Sequence, residues 1–149
     1  MKVLFVCTAN ACRSQMAEAW ARALFPGGWS AASCGLFPHP VSERARWVMQ
    51  EAGLGMEGQA SKSFDEVDLD AFDLVVSLSE EAGRYLPPLR DPRRHVRVPV
   101  DDPVAATGTP EQVREAFRTG RDRIRAIVQD VVAGRLRAAP GDGDADLTS

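Results

Sequence analysis

Cys7 and Arg13 stand six positions apart in the stretch CTANACRS, with Asn10 between them and Ser14 at its end. Those residue types at that spacing can hold and attack a tetrahedral oxyanion. If the stretch curls into a loop, the backbone N–H groups of Thr8, Ala9, Asn10, Ala11, Cys12, Arg13 and Ser14 converge on one point. The positive end of a following helix reinforces them. Arg13 can grip two oxygens of the anion in a bidentate fork, which a lysine could not copy. The same field stabilises a thiolate, so Cys7 is expected to be a nucleophile at neutral pH, with Ser14 donating to its sulfur. Asn10 tolerates a left-handed backbone and can tie the loop down through its side chain. A cysteine that merely packs at a strand end is the competing structural reading.

A thiolate that displaces an oxygen needs a proton donor for the departing group. Val98-Pro99-Val100-Asp101-Asp102-Pro103 supplies one, and Pro103 restricts the residue before it, which would aim Asp102 consistently. An ordinary Asp-Pro turn is the alternative there. Asp91-Pro92 repeats the dipeptide among arginines, but it precedes a strand instead of following one.

These side chains need a scaffold. Val3-Leu4-Phe5-Val6 is a continuous apolar run, as expected of a central parallel strand covered on both faces. Ser14 is the expected N-cap of a helix carrying Met16, Trp20 and Leu24, ended by Pro26-Gly27-Gly28. Trp29 to Ser33 reads as a second strand, and Ser42 as the cap of a helix stopped by Gly53. Phe72 to Leu78 reads as a third strand, followed by a short helix to Leu86, and His95 to Val100 as a fourth. Pro110 opens a long helix through about Val132, with Val113, Phe117, Ile124, Ile127, Val128 and Val131 inward. Strands alternating with helices imply an α/β fold with a parallel sheet, whose ligands bind beyond the carboxyl ends of the strands. Cys7 stands at such an end.

A chain of 149 residues is expected to form one catalytic domain over residues 1–137, with 138–149, AAPGDGDADLTS, as an acidic disordered tail. The net charge of -3 gives no reason to expect nucleic acid or an anionic membrane as partner. Every basic residue but Lys2 and Lys62 is arginine, a bias read as compositional. Three cysteines do not make a secreted disulfide framework, and neither a signal peptide nor a membrane-spanning run is visible. A cytoplasmic protein with reduced thiols is the expectation.

CTANACRSQMAEAW resembles the signature of the low-molecular-weight protein tyrosine phosphatases, and more closely that of the arsenate reductases sharing their fold. The similarity covers most of residues 2 to 133, including Ser33-Cys34-Gly35, Phe72 to Leu78 and Asp101-Asp102-Pro103. It implies a four-stranded parallel sheet flanked by helices on both faces. It also implies Cys7 as nucleophile, Arg13 as oxyanion clamp and Asp102 as general acid, with Ser33 and Glu18 as supports. Gln15 stands where the phosphatases usually carry proline, and Val104 where they tend to place tyrosines, which favours the reductase branch. The implied activity is reduction of arsenate to arsenite with a thiol reductant as co-substrate and no bound cofactor; hydrolysis of phosphotyrosine through a Cys7 phosphoenzyme is the alternative. A module that only senses oxyanions would need neither nucleophile nor acid.

Ala9 and Ala11 replace a usual glycine and serine of the loop. Thioredoxin-coupled relatives keep two further cysteines after the third strand, where this chain has Ser79 to Leu86, SEEAGRYL. Cys7 must then be resolved by Cys12, by Cys34 or by an external thiol. A small thiol or a glutaredoxin-like protein is favoured, and thioredoxin stays open. Cys12 lies in the loop as a packing, protective or resolving thiol, and Cys34 reads as structural. Some relatives hold potassium with an aspartate near position 62; Lys62 argues against that, and no His/Cys cluster has metal-ligand spacing. Trp20 and Trp47 read as core, Trp29 as the start of a strand, His39 as a rim residue, His95 as a strand start, and Arg90 to Arg94 as a solvated loop.

Overall fold

In the computed structural model, which describes residues 1–136, the segment KVLFVC forms β1 (Lys2–Cys7), buried from Val3 onward. A strand apolar on both sides must be covered on both, so it lies inside the sheet. Its neighbours are β2 (Ser30–Gly35) and β3 (Leu74–Ser77), and β4 (His95–Arg97) completes a parallel sheet of order β2-β1-β3-β4. The register sets Val6 beside Cys34 and Cys7 beside Gly35.

Successive strand residues point to opposite faces, and the two cores follow that alternation. Val3, Phe5 and Cys7 face α1 (Arg13–Leu24), α2 (Glu43–Glu51) and α4 (Pro110–Val132), packing with Met16, Val48, Met49, Phe117 and Ile124. Leu4 and Val6 face the other way, with Cys34, Val75 and Leu89 and with Ala82 of α3 (Glu80–Tyr85). Each fully buried Leu, Val, Ile or Phe contributes about 1.5–3 kcal/mol by leaving water. Ser42 caps α2 by accepting from Ala45 N–H, and Thr109 and Gln112 close a capping box at α4 with Pro110 in its first turn. No helix among the described residues is long and apolar enough to cross a membrane.

The expected architecture is present, with local differences. The strand expected at Trp29–Ser33 runs Ser30–Gly35; Trp29 lies just before it, its ring edge-on to Phe25 at 5.3 Å. The third and fourth strands are shorter than expected, but Val98 and Val100 N–H still bond Ser77 and Leu78 carbonyls, carrying the chain onward toward the sheet's carboxyl edge. Ser14 is not the cap of α1: the helix starts at Arg13 with Cys12 before it, because the Ser14 hydroxyl is committed to Cys7. Trp20 is core, whereas Trp47 is 44% exposed and stacks against Arg114 and Arg118 guanidinium groups, 5.5 and 5.4 Å from its ring. Residues 90–94 are not a plain loop. Asp91 caps a 3₁₀ turn, Pro92–Arg94, and Arg94 donates to Phe72 O. The expected tail, 138–149, lies outside the described residues.

Candidate active site

Cys7 ends β1 and Arg13 begins α1, so the five residues between them turn the chain from a strand's carboxyl end into a helix N-terminus. The neighbouring segments decide which way that turn faces. Thr8 O accepts from Leu36 and Phe37 N–H, Ala9 O from His39 N–H and the Ser61 hydroxyl, and Ala11 O from Ser42 N–H. Asn10 O accepts from the Gln15 amide and Cys12 O from Met16 N–H. With the carbonyls drawn outward, the amides are turned the other way. Among the described residues, no N–H from Ala9 to Ser14 donates to another group of the protein. That leaves a ring of donors at the positive end of α1, an arrangement able to take an anion.

Two backbone details make the curl affordable. Asn10 sits at φ 47°, the left-handed conformation expected for it. Gly35 lies directly against the loop: a Cβ there would stand 2.6 Å from Asn10 N, so any larger residue would push the loop off the end of β2.

The hydrogen bonds to the thiol have a fixed sense. Lys62 N–H can only donate, and its acceptor is Asn10 Oδ1 at 2.9 Å, which turns Asn10 Nδ2 toward Ser14 Oγ at 2.7 Å. The Ser14 hydroxyl proton is then left for Cys7 Sγ, 2.9 Å away. A hydrogen bond donated to sulfur favours the thiolate.

Arg13 is nearly buried and held at one edge, Nη1 donating to Val100 O at 2.9 Å. Its Nη2 lies 3.6 Å from Asp102 Oδ2. Asp102 adopts the extended backbone that Pro103 demands, φ -79° and ψ 110°, and its Oδ1 accepts from Val104 N–H. Asp101, its neighbour, makes no such contact among the described residues. The two elements that carry Arg13 and Asp102 are far apart in sequence, and the sheet brings them to one end.

Between them opens a cleft of about 420 Å³ whose walls include Arg13, Asp101, Asp102, Thr8, Glu80 and Glu81. The Thr8 hydroxyl oxygen lies 3.0 Å from Ser79 Oγ and 3.2 Å from Glu81 Oε2, a carboxylate oxygen that can only accept its proton. Its own backbone amide holds the Glu81 carboxyl below the usual range, helped by Thr8 and Arg13 against the pull of burial. The stretch Ser79–Leu86, marked in the sequence only by its missing cysteines, thus begins on a wall of the cleft.

Ser33 and Glu18, expected as supports of the loop, bond to each other: Ser33 Oγ donates to Glu18 Oε1 at 2.7 Å, and Arg22 pairs with Oε2. The other two thiols are buried. Burial above all, with Cys7 and Asp102 adding, pushes the Cys12 thiol well above its ordinary range. Burial pushes Cys34 up to about 12, against the opposing charge of Lys62. Cys34 belongs to the core of Leu4 and Val6, whereas Cys7 packs with Val3 and Phe5, so the two sulfurs lie on opposite faces of the sheet. His39 touches the loop through its backbone, and exposed Tyr85 is not among the cleft-lining residues. Residues that sequence reasoning did not place at the site are Gln59, Ser61 and Gly120. Their signal is weak, since a glutamine and a serine in a connecting segment and a glycine inside a helix look ordinary until the chain is folded.

The family model described as low molecular weight phosphotyrosine protein phosphatase matches residues 2–137. An arsenate reductase of Halalkalibacterium halodurans is 37% identical, over 82% of this chain and 88% of its own length. A glutaredoxin arsenate reductase of Synechocystis sp. is 35% identical, over 89% of this chain and 96% of its own. A solved structure of an arsenate reductase in the phosphate binding state superposes with a TM-score of 0.76 at 34% identity, covering 89% of this chain and 97% of that one. A strand-to-helix loop of this kind, on this sheet, in a chain matched over residues 2–137, makes the protein a member of the low molecular weight phosphotyrosine protein phosphatase family.

Proposed function

We propose that this chain is an arsenate reductase that uses Cys7 as nucleophile and an external thiol as reductant. The observation that carries the reading is the likeness to arsenate reductases over more than four-fifths of the chain, joined to an oxyanion loop with its thiol, arginine and acid in reach of one cleft. Arsenate enters the ring of amides and is gripped by Arg13. The Cys7 thiolate attacks arsenic, an As–O bond breaks, and Asp102 gives its proton to the departing oxygen, which leaves as water. A second thiol then attacks the sulfur of Cys7. The S–As bond breaks with its electron pair going to arsenic, which is reduced from the +5 to the +3 state and leaves as arsenite, while the two sulfurs form a disulfide.

The external source of that second thiol is supported by three features. Cys12 and Cys34 are buried and held as neutral thiols, Cys34 faces the other side of the sheet, and Ser79–Leu86 contains no cysteine. A small thiol or a glutaredoxin-like protein fits best, with thioredoxin as the other candidate. Chemistry that consumes thiols belongs in a reducing compartment, so the proposal includes the cytoplasm.

The family's phosphatase members support a second reading, in which water hydrolyses a Cys7 phosphoenzyme, because the same loop would take phosphate. Val104, 55% exposed beside the acid, offers no aromatic surface for a phosphotyrosine ring. Arsenate-dependent oxidation of NADPH, coupled in turn to a glutaredoxin/small-thiol system and to thioredoxin with its reductase, tests the choice. Turnover with the first system is the expected result. Hydrolysis of an aryl phosphate with no arsenate-dependent oxidation under either system would overturn the reductase assignment.

A further inference from the structure

Gln15 and Gln59 are buried polar side chains that the chemistry above does not use. Their amides bond in one direction only. Gln15 Nε2 faces three oxygens, Asn10 O at 3.0 Å, Asn10 Oδ1 at 3.1 Å and Ala60 O at 3.2 Å, so that atom must be the nitrogen. Gln15 Oε1 is then the acceptor, and Gln59 Nε2 donates to it at 2.8 Å and to Gln15 O at 2.9 Å. Continued through Asn10 Nδ2 and the Ser14 hydroxyl, the bonds form an unbroken chain of donors from Gln59 to Gln15, Asn10, Ser14 and the sulfur of Cys7. No link can reverse, because each amide is oriented by a backbone group that has only one role.

We propose that Gln15, backed by Gln59, is a positioning residue for the nucleophile: together with the Lys62 N–H it holds the Asn10 amide so that the Ser14 hydroxyl points its proton at Cys7. Each donor in such a chain polarises the next, which strengthens the last bond, the one to the thiolate. A proline at position 15 would supply neither the donor to Asn10 nor the acceptor for Gln59. The inference rests on the reading of Cys7 as the nucleophile, and the experiment separates the two.

The rate at which iodoacetamide alkylates Cys7 at neutral pH, with the modified residue assigned by peptide mass, reads thiolate availability without arsenate or reductant. Gln15→Met keeps an unbranched side chain of similar size and removes the side-chain bonds to Asn10, Ala60 and Gln59; it is expected to slow alkylation on the order of tenfold, as loss of a buried hydrogen bond would. Gln59→Met, one link further away, is expected to slow it about threefold. On a Ser14→Ala background neither change should slow it further, because the chain is already cut downstream. Equal fractional losses on both backgrounds, or no loss in a folded Gln15→Met protein, would overturn the proposal. If Gln15→Met does not fold, the Gln59→Met pair with and without Ser14→Ala decides by the same criterion. Wild-type Cys7 no faster than free cysteine would instead overturn the nucleophile reading itself.

Discussion

Gly120, in the middle of α4, lies against Pro103: a Cβ on the glycine would stand 3.0 Å from the proline's Cγ. Pro103 follows Asp102 and opens the short turn Pro103–Ala105, so the bare helix face at Gly120 is the seat of the acid-bearing turn. Gly120→Ala should raise intrinsic helix stability by about 1 kcal/mol while pushing the turn outward. Because small misplacements of a reacting group are costly, kcat is expected to fall on the order of tenfold with the melting temperature nearly unchanged. Steady-state kinetics beside a thermal melt will show whether the two separate; an unchanged kcat would mean that the turn is not seated by this contact.

Cys7→Ser is expected to abolish arsenate reduction and any aryl phosphatase activity, since a hydroxyl lacks the thiolate's nucleophilicity. Arg13→Lys should lose most of the rate, because an ammonium cannot both bond Val100 O and grip two oxygens of the anion. Substantial turnover by the Cys7 variant would sink the mechanism.

Asp102 and Asp101 both line the cleft, but only Asp102 is tied by the Val104 amide and approaches Arg13. Asp102→Asn should cost roughly 10²–10⁴-fold in kcat, the usual range for general acid catalysis. Asp101→Asn should cost far less. The comparison requires both variants to keep the wild-type melting temperature, and equal losses would contradict the assignment.

The buried Cys34 thiol makes a prediction about alkaline stability. Its folded value of about 12 lies above the ordinary 9.0 of the unfolded chain, so its contribution is complete below pH 9. As pH rises from 9 toward 12, the unfolded chain gives up a proton that the folded protein keeps, and stability falls by at most about 1.4 kcal/mol per pH unit. Urea unfolding of the wild type and of Cys34→Ala between pH 8 and pH 10.5 should show a shallower decline in the variant. Parallel declines would mean that Cys34 titrates normally.

The chemistry of this protein was legible early because it is local. Cys7, Asn10, Arg13 and Ser14 lie within one turn between a strand and a helix, and that short separation dictates that they meet. Asp102 could be picked out because a proline constrains it and a strand precedes it. The sheet order was not local: which strand lies beside β1, and hence that Val100 O would meet Arg13, depends on packing between segments almost ninety residues apart. Trp47 shows the limit of reading apolarity along a helix, since arginines from α4 cover a ring that periodicity assigns to the core. Gln59 and Gly120 carry no mark at all in the sequence, and Gln15 is marked only as a departure from proline, because an amide's bonding direction and a glycine's clearance are set by what the folded chain places opposite them. Residue types and short spacings pointed to the chemistry and to the groups next to the thiol and the acid; only the tertiary structure decided that Val100 holds the arginine, that Gln59 and Lys62 back the thiol's donors and that Gly120 seats the acid's turn, because those contacts join segments far apart in the chain.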